Sequence, residues 1–358
     1  MRKLTALFAL AALLAAPGRP LLAQQAGGQF LFVCNQDDAT VSIIDLGTNR
    51  IVRTVDLKAL GFSANAKPHH VAVEPDGSAW YVTLIGDNRI VKLDPQGRVL
   101  AQAEFETPGM LALHPTEDLL FVGRSMTAVN PPRRIGVLRR SDLRLEEVDI
   151  LFPRPHAMVV APDGTVYTAS LATNQIAAVD PATERVELVD VAGPPHALMQ
   201  FAITPDGKTL VVSGELSHQV LVLDITSPME PRVVASIDVG PQPFDPIITP
   251  DGRWVYLGNK AANTVTVIDL ETREVAAVIR GEGLAQPHGV AVSPDGRYVY
   301  VSNNNLTAPA GSHIGHGGAP VKSAGPGTVV VIDTATREIA HVIEVGRNAT
   351  GIAIGRLR

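Results

Sequence analysis

The sequence predicts an all-β fold: a seven-bladed β-propeller of four-stranded antiparallel blades, its ring closed by the C-terminal strand joining the N-terminal blade. Three observations lead there. A Pro-Asp-Gly turn, or a close relative of it, recurs at Pro75, Pro115, Pro162, Pro205, Pro250 and Pro294, at intervals of 40, 47, 43, 45 and 44 residues. Short runs rich in Val and Ile follow each turn, and no helical pattern of useful length competes with them. The two ends of the chain each hold an incomplete repeat that the other completes.

Each element has a local cause. Proline fixes φ and glycine accepts positive φ, so the tripeptide makes a tight turn between a first and a second strand. The interval between turns suits a blade of four strands. After Pro250 the remaining three strands are expected at Trp254 to Gly258, Thr264 to Asp269 and Glu274 to Ile279. Third strands end in aspartate, at Asp45, Asp94, Asp180, Asp224, Asp269 and Asp333, where the carboxylate can accept backbone hydrogen bonds in the following turn. Phe30 to Leu57 supplies three strands and lacks a first; Thr350 to Ile354 is a first strand with nothing after it. Joined, they hide edges that would otherwise be exposed.

The first 23 residues read differently. Arg2 and Lys3 precede an apolar run, Leu4 to Ala16, too short to span a bilayer, and Leu21-Leu22-Ala23 offers a cleavage site. Residues 1–23 are therefore expected to be a secretory signal peptide and residues 24–358 a single propeller domain, periplasmic or secreted, monomeric and without a membrane span. Losing Arg2, Lys3 and Arg19 leaves 27 basic against 36 acidic side chains, a formal charge of −9. Such a surface is unsuited to nucleic acid. Cys34 is the one cysteine, which excludes an internal disulfide and an attached c-type haem. A Gly-x-Ser-x-Gly elbow, a Walker loop and His-Glu-x-x-His are also absent.

Propeller connectivity puts the loops entering first strands, and those between second and third strands, on one face, here the top. Histidine follows proline just before the first strand at His69, His156, His196 and His288, with His70 next to His69. Counted back from the turn, His69, His156 and His288 are equivalent, and His196 stands three residues earlier. Gly109, Phe244 and Thr350 occupy that place in other blades. A long top insertion, roughly Asn304 to Gly327, adds His313 and His316. Long top loops also run from Arg124 to Arg134 and from Leu57 to Lys67, and elaborated loops on one face of a regular scaffold are where binding resides. Imidazoles without competing thiolates suit a divalent transition metal, Cu, Zn or Fe. The candidate ligands are His69, His156, His196, His288, His313 and His316. The plainer alternative is that each simply bonds nearby backbone or water. His114 at a bottom turn and His341 on an outer strand are expected to be solvated, His218 to lie at the surface, and Trp80 and Trp254 to pack between blades.

The segments Pro287-His288-Gly289-Val290-Ala291-Val292-Ser293-Pro294-Asp295-Gly296 and Tyr298-Val299-Tyr300-Val301-Ser302-Asn303 resemble the YVTN family of β-propeller repeats. The resemblance covers nearly the whole mature chain and implies the fold; it transfers no catalytic residue. Similar propellers include lactonases, metal-dependent streptogramin B lyases and the copper-holding domain of nitrous oxide reductase. The function expected is an exported binding or scaffold protein that takes a small ligand or a protein partner on its top face. The alternatives are a metal-dependent hydrolase or lyase, with Asp245 as base, and a copper-linked redox role in the cell envelope.

Overall fold

The computed structural model describes residues 28–307 and 323–358. Residues 1–23, expected to be a signal peptide, and His313 and His316 lie outside the described residues.

Seven separate four-stranded antiparallel sheets are arranged in sequence order. The first blade pairs Gln29–Asn35 with the closing strand Ala349–Arg356, then runs through Thr40–Asp45 to Arg50–Asp56. The expected closure is present, with Phe32 opposite Ala353 and Val33 opposite Ile352. The other six innermost strands are Pro68–Val73, Pro108–Leu113, Pro155–Val160, Leu198–Ile203, Pro243–Ile248 and Pro287–Val292, in blades two to seven. The expected strands after Pro250 appear as Trp254–Asn259, Thr264–Asp269 and Glu274–Ile279.

Packing explains the composition. Seven apolar clusters fill the seven gaps between neighbouring blades, so every inner strand buries side chains against the next sheet. The gap between blades one and two holds Phe32 against Trp80, ring centres 5.3 Å apart, and the Trp80 indole donates to the Asp94 carbonyl at 2.9 Å. The third-strand aspartates act as turn acceptors: Asp45 takes the Thr48 N–H, Asp180 that of Ala182 and Asp333 that of Ala335. His114 is a correction. It is buried, because its Nδ1 accepts the Thr116 and Glu117 N–H groups and its ring lies beside Phe121.

Two backbone devices recur around the ring and shape the channel. The residue just before each inner strand is left-handed and never glycine: Lys67, Thr107, Arg154, Ala197, Gln242, Gln286 and Asn348, with φ between 44 and 58°. Its carbonyl accepts an N–H from the residue after the second strand in every blade, as in Ile85 to Lys67 and Lys260 to Gln242. Each inner strand then carries one residue more than its neighbour. In blade two, His69 and His70 together oppose Thr83; in blade six, Phe244 and Asp245 oppose Gly258. Such a bulge breaks the alternation of a strand and re-aims its side chains. The residues opposite the bulges are small, Cys34, Thr83, Gly123, Ser213, Gly258 and Ser302 among them. A Cβ on Gly123 would stand 2.6 Å from the His156 carbonyl oxygen. Hydroxyls at this position pin the bulge: His70 N–H donates to Thr83 Oγ1, which donates to the Gly109 carbonyl, both at 3.0 Å.

Candidate functional site

The bulges turn two successive residues of an inner strand toward the axis and so build two tiers. The upper tier, at the top mouth, is His69, Gly109, His156, Met199, Phe244, His288 and Thr350. The His69 ring lies 6.4 Å from that of His156 and 5.8 Å from that of His288, centre to centre, although blades three and one intervene. Gly109 and Thr350, the small members of the tier, belong to those intervening blades. Phe244 packs against His288 at 4.9 Å, and the Lys260 ammonium lies 4.4 Å from the centre of the Phe244 ring. Lys260 is 6% exposed. Met126, Leu171 and Met199 complete an apolar cluster with Phe244 on the same rim.

Electrostatics keep these rings neutral. Burial, and then the charges of neighbouring imidazoles and of Lys260, hold His69 well below the usual histidine range; burial, Lys260 and His69 do the same for His288. Burial lowers His156 to about 4. Lys260 itself is lowered to about 8 by burial, with Glu215 and Asp245 opposing that fall.

The ring nitrogens differ in what they do. His156 Nδ1 lies 2.8 Å from the Arg124 carbonyl oxygen; a neutral ring there donates from Nδ1 and leaves Nε2 as the lone-pair nitrogen. His69 Nδ1 lies 2.9 Å from the Gln36 amide nitrogen, so with that NH₂ donating a neutral ring carries its proton on Nε2, which is buried with no partner among the described residues; a lone pair on Nε2 requires the Gln36 amide turned end for end, its oxygen accepting from Nδ1. His288 Nδ1 is likewise buried and unpartnered. Three imidazoles therefore each bring one nitrogen that the protein has not used.

His196, expected among the ligands, stands apart. Its Nδ1 is bonded to Ser217 Oγ at 2.8 Å and its Nε2 to the Ala192 carbonyl at 3.1 Å. With both nitrogens occupied it has none to offer, and Met199 fills its blade's place in the tier. His218 has left-handed φ in a hairpin, and its Nδ1 accepts the Gln242 N–H. Among the described residues, no three His, Cys, Asp or Glu side chains are placed to hold one ion between them. The margin is small: two imidazoles on one tetrahedral zinc-sized ion have ring centres about 5 Å apart, roughly an ångström closer than the pairs seen here.

Lys260 was not legible as a site residue. It follows a second strand, and only the backbone bond to the Gln242 carbonyl folds it inward over Phe244. Asp245 was singled out by its place beside Phe244. Burial pushes its carboxyl up to about 7, with Lys260 opposing.

Comparisons with known proteins agree on architecture. A family described as "Lactonase, 7-bladed beta-propeller" matches residues 146–308, less than half of the chain. No curated protein matches it. Among solved structures, a functionally unknown protein from Desulfotomaculum acetoxidans aligns with TM-score 0.70 at 15% identity, over 92% of this chain and 99% of that one. A streptogramin B lyase aligns with TM-score 0.62 at 16% identity, over 76% and 94%. A hydrazine synthase from Kuenenia stuttgartiensis aligns with TM-score 0.60 at 19% identity, over 81% and 95%. At such identities the likeness to these structures is one of fold alone.

Proposed function

We propose that the protein is an exported ligand-binding propeller whose top channel mouth takes a first-row transition-metal ion of the zinc, copper or iron type on His69, His156 and His288. The observation that carries this reading is the meeting of three buried imidazoles from blades two, four and seven, each with an unused nitrogen. Neutral imidazole is the form a metal needs. The Arg124 carbonyl bonded to His156 Nδ1 matches the way metal-bound histidines are oriented from behind. His69 is the shared neighbour, 6.4 and 5.8 Å from the other two rings, centre to centre, so the ion would have to draw His156 and His288 in toward it, and positions left open on the ion remain for a small ligand. The signal-like segment at residues 1–23 directs this binding to the periplasm or beyond.

A second reading, a metal-dependent hydrolase or lyase, is favoured by one fact: Asp245, next to Phe244 of the mouth and in the tier just below it, has its carboxyl near 7, where a carboxylate works as a base on metal-bound water.

The test is metal titration of chelator-treated, tag-free full chain with Zn²⁺ and Cu²⁺, read by calorimetry and thermal melting. One ion per chain is expected. Linkage raises stability by about 2.7 kcal/mol at free metal a hundredfold above Kd. His156→Ala is expected to abolish the effect and His196→Ala to leave it. Absence of stoichiometric binding, or binding that survives His69, His156 and His288 all changed to Ala, sinks the reading.

A further inference from the structure

The lower tier forms a chamber of its own. A cavity of about 330 Å³ lies on the axis beneath the mouth, and none of the mouth residues lines it. Its polar groups are His70, Gln200 and Asp245; Phe201, Ile247 and Val290 are among its apolar walls. The size is that of a small-molecule pocket.

The hydrogen-bond roles of these groups are fixed from behind. His70 Nδ1 accepts the Leu111 N–H of the next blade at 3.2 Å. A neutral ring so held carries its proton on Nε2. Gln200 Oε1 accepts two backbone N–H groups, from Met158 at 2.9 Å and Phe201 at 3.0 Å. The oxygen of this amide is thereby identified, and its NH₂ is the free end. Asp245 is 8% exposed and has no hydrogen bond or ion pair among the described residues. The free ends of these three groups open onto the cavity, so two donors and one carboxyl are presented to whatever fills it. Gln200 and Asp245 come from adjacent blades, and His70 comes from blade two on the opposite side of the ring.

We infer that this chamber is a second binding site, distinct from the mouth, for a compact uncharged molecule that carries a carbonyl oxygen and an N–H or O–H on one edge. The carbonyl takes the Gln200 donor, the N–H or O–H meets Asp245, His70 faces them from across the chamber, and the rest of the molecule lies on the apolar wall. A cis-amide is the simplest such edge.

The test uses the metal-free full chain and ligand-observed NMR with pyrrolidin-2-one, against N-methylpyrrolidin-2-one, which lacks the N–H, and cyclopentane, which lacks both polar groups. Pyrrolidin-2-one is expected to bind at least tenfold tighter than either. Gln200→Glu retains the oxygen that the two backbone N–H groups need and removes the NH₂ donor, so it is expected to fold and to lose tenfold or more in probe affinity. Asp245→Val should lose the preference for the N–H probe over its methylated form. His156→Ala, which disables the mouth, should leave probe binding unchanged. Equal binding of all three probes, no binding beyond water, or loss of binding in His156→Ala with retention in Gln200→Glu overturns the inference whatever the fate of the metal reading.

Discussion

The two rims of the channel use the same backbone conformation for opposite ends. On the bottom, the Pro-Asp-Gly turns place glycine at positive φ, at Gly77, Gly164, Gly207, Gly252 and Gly296, with φ from 68 to 95°. On the top, seven residues adopt positive φ before the inner strands, and none is glycine. Left-handed backbone costs a residue with a Cβ about 1–2 kcal/mol relative to glycine. The turns that leave the inner strands at the bottom avoid that cost, although the bottom hairpins between third and fourth strands bear it at Asn49, Leu143, Glu184, Arg273 and Arg337; the residues that enter the inner strands at the top bear it in all seven blades. The contrast is therefore between the two ends of each inner strand, glycine in the turn below and a side chain at the entry above.

The largest expected effect tests whether either rim exists without the ring. Deleting residues 346–358 removes the strand that seals blade one against the rest, and a large drop in melting temperature with loss of a cooperative transition is expected. An unchanged melting curve would mean that the rims do not depend on closure.

The acid response comes next. His69, His70, His156 and His288 are held neutral by burial, His70 and His156 down to about 4. Unfolded histidine binds its proton near 6.5, so between about 6.5 and 4 the unfolded chain holds more protons and stability falls as pH falls. For His156 alone this amounts to about 3 kcal/mol. Asp245 runs the other way: its folded carboxyl, near 7, stays protonated where the unfolded one ionises, and offsets one histidine in that window. Denaturant melts of the metal-free chain from pH 7 to pH 4 should show a net loss, and a flat profile would contradict the buried mouth.

The smallest effects should have opposite signs on the two rims. Gly164→Ala forces a Cβ to 2.6 Å from His114 Nε2 at φ 95° and is expected to destabilise by about 2 kcal/mol. Ala197→Gly relieves φ 49° at the top and is expected to be neutral or to stabilise by up to about 1 kcal/mol. If both lost equal stability, the contrast between the rims would fail.

Much of this was readable along the chain. The turns, the blade interval, the third-strand aspartates and the split first blade are local patterns, since φ preferences and alternation act over a few residues. Three of the histidines were also found by their common distance from the turn. His196 was misassigned because proximity in sequence to proline does not determine what its ring nitrogens touch. Ser217 and Ala192 do, across a loop. His114 was misassigned for the same reason.

By itself, then, the sequence determined a closed ring and the face on which its variable residues gather, because repeated turns and strand-length apolar runs leave the backbone few alternatives. The tertiary structure decided which side chains meet. The bulge that sends His69 to the mouth and His70 to the chamber exists only as a mismatch between paired strands, and Lys260 reaches Phe244 only because a neighbouring carbonyl holds its backbone there. Those are relations between distant segments, and no window of the sequence contains both partners.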